Sequence, residues 1–308
     1  MLDAHQPYDL LVILGATAGG KTSLAVRAAE HLGAEIISAD SRQVYRGMDL
    51  GTGKDLDEYG VIPYHLIDIV EPGTEYNLFN FQQDCFAAID EISSRGKLPL
   101  ICGGSAMYLD AVLRGYKLIE VPENPQLRAE LALLSDDQLR QRLIELKPLQ
   151  HNRTDLDERE RLVRALEIAI GELTSIAPVL PQIRPIVFGL RWPRDILRQR
   201  IALRLQQRFD QGMIDEVQQL HADGVPWERL EFYGLEYRLI AQYLQDQLSR
   251  DDMQEKLHNA ICLFAKRQEN FFRRMEKQGV DIHWLDAQAD PFAELCRYLD
   301  SLPSVFVN

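Results

Sequence analysis

Residues 15–22 read GATAGGKT, set between the apolar run DLLVIL and the helix-like SLAVRAAEHLG. Gly15, Gly20, Lys21 and Thr22 meet the spacing G-x-x-x-x-G-K-[ST] in the strand–turn–helix setting that the pattern requires. In such a turn the backbone of Gly15, Ala16, Thr17, Ala18, Gly19 and Gly20 wraps an anion, with N–H groups of the helix start aimed at it. Lys21 neutralises phosphate oxygens, and the Thr22 hydroxyl is placed to ligate Mg2+. An ATPase or GTPase also needs a second strand ending in a metal-holding Asp. KLPLICGG and RPIVFGL end without one, whereas AEIISADS ends at Asp40. In a parallel sheet the C-terminal strand ends share one crevice, so Asp40 is expected beside the phosphate loop, as a base for an attacking group. The alternative is a turn or capping residue beside Ser41.

The segment RQRIALRLQQRFDQGMIDEV reads as one helix with Ile201, Leu205, Phe209, Met213 and Val217 as a core stripe and Arg200, Arg204 and Arg208 beside it. A fixed guanidinium there suits a leaving diphosphate, because it forks onto two oxygens at once. An internal ion pair is the other reading of Arg204.

The elements that must hold these groups alternate. DLLVILG, AEIISADS, YHLIDIV and KLPLICGG read as strands; TSLAVRAAEHLG, stopping at Gly33, and NLFNFQQDCFAAIDEISSRG read as helices. That order predicts an α/β fold, a parallel sheet with helices on both faces. From Tyr116 the texture changes to charged helices broken by proline, and RPIVFGL then returns as a strand, with IHWLD as the last one. The expected division is a core of 1–115 and 183–308 carrying a helical insertion, 116–182.

The chain of 308 residues is long enough for a large core, and its apolar runs are too short to span a membrane. Its first residues lack a signal-peptide layout, and Cys85, Cys102, Cys262 and Cys296 form no CxxC pair, so a reducing cytoplasm is expected and a zinc site is not. The net charge of −13 argues against wholesale attraction to nucleic acid. Arginine and lysine nevertheless concentrate in 153–164, 184–208 and 266–277. They form either one basic face or solvated helix surfaces with internal Glu–Arg pairs.

GATAGGKTSLA, IISADSRQVYRGMDLGTGK, LPLICGGSAMYL, RLVRALEI and FAKRQ together resemble the tRNA dimethylallyltransferase family, over about residues 10–285. The resemblance implies a P-loop NTPase-like fold and transfer of a dimethylallyl group from dimethylallyl diphosphate to N6 of the adenosine 3′ of the anticodon (position 37), in tRNAs reading codons beginning with U. It implies that the loop holds diphosphate with Mg2+, that Arg204 binds that diphosphate, and that Asp40 is the base. It also implies tRNA contacts by Asp40, Ser41, Arg42, Gln43 and Ser105, and in the insertion by Arg128, Glu160, Arg161, Leu162, Val163 and Arg164. A monomer is expected. The sequence departs from the family pattern at Ser105, Ala106 and Leu235, in GTGKD, and in ENFF after AKRQ. Ser105 keeps a hydroxyl, and the aromatic role missing at Leu235 is expected to pass to Phe232, Tyr233 or Tyr237, leaving tRNA as acceptor with altered loop selectivity. Three readings compete: prenyl transfer to AMP or ATP, a P-loop kinase of a small nucleoside, and a non-catalytic RNA-binding protein.

Overall fold

The computed structural model describes residues 8–148, 158–173 and 178–303. The chain divides into two compact units, Met1–Gly115 with Gln182–Asn308, and Tyr116–Pro181.

The first unit begins with β1 (Leu10–Gly15), α1 (Lys21–Leu32), β2 (Ala34–Ala39), β3 (Tyr64–His65), α2 (Leu78–Ser94), β4 (Leu98–Gly103) and α3 (Ala106–Leu113). Its six described strands are parallel, in the order β3-β2-β4-β1-β5-β6, where β5 is Pro185–Arg191 and β6 is Ile282–Asp286. β1 and β4 are buried along their whole length, so both faces are covered, as a sheet of βαβ crossovers requires. Leu11 and Ile13 join the cluster under α1; period-two alternation sends Leu10, Val12 and Leu14 to the opposite face.

YHLIDIV was expected as a full strand, but only Tyr64 and His65 pair with β2. Leu66 and Asp68 adopt left-handed backbone, φ 62° and 56°, which ends the ladder. The turn delivers the Asp68 carboxylate to the buried ammonium of Lys54.

After the insertion come α7 (Arg194–Asp210), α8 (Met213–Ala222), α9 (Trp227–Phe232), α10 (Leu235–Leu244), α11 (Arg250–Lys277) and, beyond β6, α12 (Pro291–Asp300). The single helix expected over 198–217 is two helices, because Gly212 turns left-handed (φ 98°) between α7 and α8. The stripe survives the break: Ile201, Leu205, Phe209, Met213 and Val217 all enter one core with α10 and α11. Ala16 and Ala18 of the phosphate loop pack into that same core, so the loop is seated on α7 and its neighbours.

The second unit contains α4 (Pro125–Ala132), α5 (Asp136–Leu146) and α6 (Arg159–Glu172) around Leu131, Leu139, Leu143, Leu162, Leu166 and Ala169. Asn124 caps α4, and a Ser135–Gln138 capping box starts α5.

Candidate active site at the C-terminal ends of the strands

The phosphate loop follows β1, and Gly20 at φ 84° starts α1 from a left-handed residue that glycine adopts without strain. The N–H groups of Lys21 and Thr22 open the helix and have no helical carbonyl to bind, so they are free to receive an anion. Three side chains from distant segments fix the rest of the loop. Arg200 Nε donates to Ala18 O at 3.0 Å, and its guanidinium lies 4.3 Å from the ring centre of Trp192. Trp192 Nε1 donates to Gly19 O at 2.8 Å. Gln268 on α11 accepts from Thr17 N at 2.9 Å and donates through Nε2 to Gly104 O at 2.8 Å. The Thr17 N–H, expected at the diphosphate, therefore serves Gln268 instead. None of these three braces was assigned from sequence. Gln268 lies in the quoted FAKRQ, but one glutamine 251 residues from its partner leaves no periodic signal.

In front of the loop lies a cleft of about 280 Å³ whose walls include Gly20, Lys21, Thr22, Glu58, Arg204 and Arg208. Lys21 Nζ donates to Ala16 O at 2.9 Å. Burial holds its ammonium below the usual lysine range and the charge of Arg204 adds to this, while Cys102 and Asp40 oppose it. Bound phosphate reverses that penalty. The Thr22 hydroxyl and the Glu58 carboxylate are hard oxygen donors, which fits a Mg2+ ion that keeps its waters and shares phosphate oxygens. Among the described residues no cluster of three or more His, Cys, Asp or Glu forms a cage for a metal by itself.

Asp40 follows β2, and β4 separates β2 from β1 in the sheet. Two strand spacings put its backbone roughly 10 Å from the loop, enough for a diphosphate and a flat base between them. Asp40 Oδ1 accepts from Arg42 N at 2.9 Å, which fixes the carboxylate against its own turn. Ser105 Oγ accepts from Ser41 N at 2.9 Å, while Ser105 N donates to Ala39 O at 3.1 Å, tying the β2 and β4 turns together. A second strand, β6, also closes on an aspartate, Asp286. That strand is the sheet edge, and Asp286 caps its own turn by accepting from Gln288 N at 2.9 Å.

The segment after Asp40 is pinned from behind. Lys54 is wholly buried and bonds Asp49, Asp68 and Tyr45 O. Glu216 of α8 accepts from the N–H groups of Asp49, Leu50 and Gly51 at 2.6–3.0 Å and from the Tyr237 hydroxyl at 2.6 Å. Gln43 was expected to face tRNA, but its side chain is buried, accepting from Ser38 Oγ at 2.8 Å and donating to Gly53 O at 3.0 Å. It positions the turn. Tyr233 and Tyr237 are likewise inside, and Leu235 packs on the same core. Of the three aromatic stand-ins only Phe232 is outside, 63% exposed, with the Arg42 guanidinium 5.6 Å from its ring centre.

In the insertion, Glu160 and Arg161 are exposed, and Arg161 pairs with Glu158 at 3.0 Å. Leu162 is 1% exposed and belongs to the core of that unit, with Val163 packed against it. The expected direct contact through Leu162 is corrected: the i, i+4, i+7 run Leu162, Leu166, Ala169 is an inward stripe. Arg128 and Arg164 both bind the buried Glu167, at 2.9 and 2.6 Å. Of the three basic segments, 184–208 and 266–277 meet in a groove of about 340 Å³ that includes Arg194, Arg198, Lys266 and Arg273. The third lies in the other unit, and its residues 153–157 fall outside the described residues.

A parallel α/β sheet with a phosphate loop and a strand-end carboxylate at the same end, and no metal-holding Asp on β4 or β5, fits a P-loop-fold group transferase. The sequence profile described as IPP transferase matches residues 43–275, and that described as isopentenyl transferase matches residues 8–59. The chain is 60% identical over 291 residues to tRNA dimethylallyltransferase 2 of Syntrophotalea carbinolica, covering 94% of this chain and 98% of that one. Among solved structures, the tRNA isopentenylpyrophosphate transferase of Bacillus halodurans superposes with a TM-score of 0.70 at 30% identity, covering 95% of both chains. A eukaryotic dimethylallyltransferase acting on tRNA shares the fold, with a TM-score of 0.77 at 22% identity, covering 96% of this chain and 80% of that one. The chain belongs to the tRNA dimethylallyltransferase (IPP transferase) family, and it is a prenyltransferase.

Proposed function

We propose that this enzyme transfers the dimethylallyl group of dimethylallyl diphosphate to N6 of the adenosine 3′ of the anticodon, position 37, in tRNAs reading codons beginning with U. The observation that carries this reading is that the phosphate loop and Asp40 stand at the same end of one parallel sheet, with Arg204 on the cleft wall. The donor diphosphate lies on the N–H groups of Lys21 and Thr22, with the Lys21 ammonium and Arg204 on its oxygens. The adenine enters from the β2 side and offers its exocyclic nitrogen to C1 of the prenyl group. The N6–C1 bond forms as the C1–O bond breaks, the electron pair leaves with the diphosphate, and Asp40 takes the N6 proton. Lys21 and Arg204 stabilise the charge that grows on the leaving group. Mg2+ held at Thr22 supplies further charge neutralisation when bound.

The adenine must leave its stack in the anticodon loop, a step worth a few kcal/mol in a partly single-stranded region. Phe232, beside Arg42, offers it or a neighbouring base a stacking surface. The groove between α7 and α11 and the exposed Arg161 are the candidate phosphate contacts; these orient tRNA, while base contacts choose it. The test is incubation with labelled dimethylallyl diphosphate and, separately, bulk tRNA, AMP and ATP. Label in N6-isopentenyladenosine from digested tRNA is the expected result. Label in AMP or ATP, or phosphate transfer from ATP, overturns the acceptor or the reaction.

A further inference from the structure

Arg204 has a neighbour one helical turn along α7 that the reaction as described leaves without a task. Arg208 is 9% exposed, yet it lines both the diphosphate cleft and a narrow second pocket with Thr17, Met213 and Glu236. Its terminal Nη2 is buried and has no hydrogen-bond partner among the described residues. The nearest carboxylate is Asp55: Oδ2 lies 2.6 Å from Arg204 Nη2 and 3.6 Å from Arg208 Nη2, so one anion oxygen stands between two guanidinium groups. A carboxylate satisfies one of those forks well and the other poorly. Gly53 belongs to the same arrangement, since a Cβ there would lie 1.9 Å from Arg208 Nη2 and 2.6 Å from Arg204 Nη2. The chain backs onto the arginine pair at a residue without a side chain.

Asp55 itself is held in left-handed backbone, φ 45°, a conformation that costs a non-glycine residue energy. The preceding Lys54 is anchored by its bonds to Asp49, Asp68 and Tyr45 O, so the loop cannot relax by sliding. Burial first and Arg204 second bring the Arg208 guanidinium down to about 10, the mark of a cation short of negative charge. Half-buried Glu236 does not make up the deficit, because desolvation raises its own carboxyl above the ordinary range.

We propose that Arg208 is a second diphosphate-binding arginine, and that Asp55 is an internal anion which the donor's diphosphate displaces from the Arg204–Arg208 pair. This rests on the reading of the cleft as a diphosphate site. A diphosphate brings several oxygens where Asp55 brings one, so both forks are filled at once. Asp55 keeps two like charges together on one helix face and competes with the ligand for them.

Titration calorimetry of the full chain with inorganic pyrophosphate and Mg2+ tests this. Arg208→Gln is expected to bind roughly 10- to 100-fold more weakly, the range for losing a charge-assisted contact. Asp55→Asn is expected to bind more tightly than wild type, because the competitor is gone; a merely structural Asp55–arginine pair gives no tightening. If Arg208→Gln does not fold, Arg208→Lys keeps the charge without the fork and is expected to be weakened several-fold. Binding that Lys21→Ala abolishes but Arg208→Gln leaves at the wild-type value overturns this inference alone, as does Asp55→Asn binding no tighter. Absence of pyrophosphate binding to the wild type overturns the diphosphate reading and the inference with it.

Discussion

Asp40 is oriented by its own turn: the bond from Arg42 N leaves Oδ2 for a proton from outside. A well-placed base is worth roughly 10²–10⁴-fold in rate. Asp40→Ala is therefore expected to lower single-turnover prenyl transfer by that factor while pyrophosphate titration is unchanged; turnover within a few-fold of wild type would reduce Asp40 to a capping residue. Phe232 is the second test at this scale. If its exposed ring stacks on a loop base, Phe232→Ala weakens tRNA binding by about 1–3 kcal/mol without altering donor binding. Unchanged tRNA affinity in a filter-binding or calorimetric assay would remove it from the interface. The phosphate loop was legible in the sequence because its chemistry needs fixed spacing over eight residues. Gln268, Trp192 and Arg200 were not, because each acts on the loop through a single bond across a large sequence gap.

Period and composition foretold α1, α2 and the helical insertion, but a stripe reports only which side is buried. That is why α7 and α8 read as one helix, since both bury into a common core across Gly212. Within the insertion, Glu167 on α6 is 1% exposed and binds Arg128, Arg164 and the N–H of Asn124, joining α6 to the start of α4. Burial alone would raise its carboxyl; the bonds from Arg128, Asn124 and Arg164 outweigh burial and hold it below the ordinary 4.5. Removing the buried carboxylate leaves two guanidinium groups that are about one-third exposed and can rehydrate, so the cost is that of lost charge-assisted hydrogen bonds, about 1.5–3 kcal/mol. Glu167→Ala is expected to cause a loss of that order in the insertion, seen as faster amide exchange in α4 and α6 with the sheet unaffected. Because the folded-state value is depressed, the contribution is present above about pH 4.5 and lost as pH falls through the still lower folded value. The gap between wild type and variant should close on the acid side; a gap constant down to pH 3 would mean the carboxylate's charge is not what stabilises.

At the scale of the molecule, a net charge of −13 coexists with a groove including Arg194, Arg198, Lys266 and Arg273. Binding of an anticodon stem–loop through such a groove releases counterions, about 0.7–0.9 per phosphate neutralised. The logarithm of tRNA affinity should then fall linearly with that of salt, and Lys266→Glu with Arg273→Glu should flatten the slope by about 1–2. A salt-independent affinity would mean that the basic side chains serve only the fold. Total charge gave no hint of this, because only folding brings 184–208 and 266–277 together.

The amide of Gln268 has a consequence beyond support. Its oxygen holds Thr17 of the donor loop and its nitrogen holds Gly104, whose neighbour Ser105 holds Ser41 beside Asp40. A single side chain thus joins the two half-sites in one bonded path, so ordering of one end is expected to favour the other. Such heterotropic cooperativity is reciprocal: whatever factor pyrophosphate adds to tRNA affinity, tRNA must add to pyrophosphate affinity. A coupling of about 1–3 kcal/mol is the usual range. Gln268→Ala should erase most of it, measured by titrating each ligand with and without the other, while Gln268→Glu should keep the link to Thr17 and lose that to Gly104. If the coupling survives in Gln268→Ala, the two substrates communicate by another route; if it collapses, the order in which they arrive matters less to the variant than to the wild type.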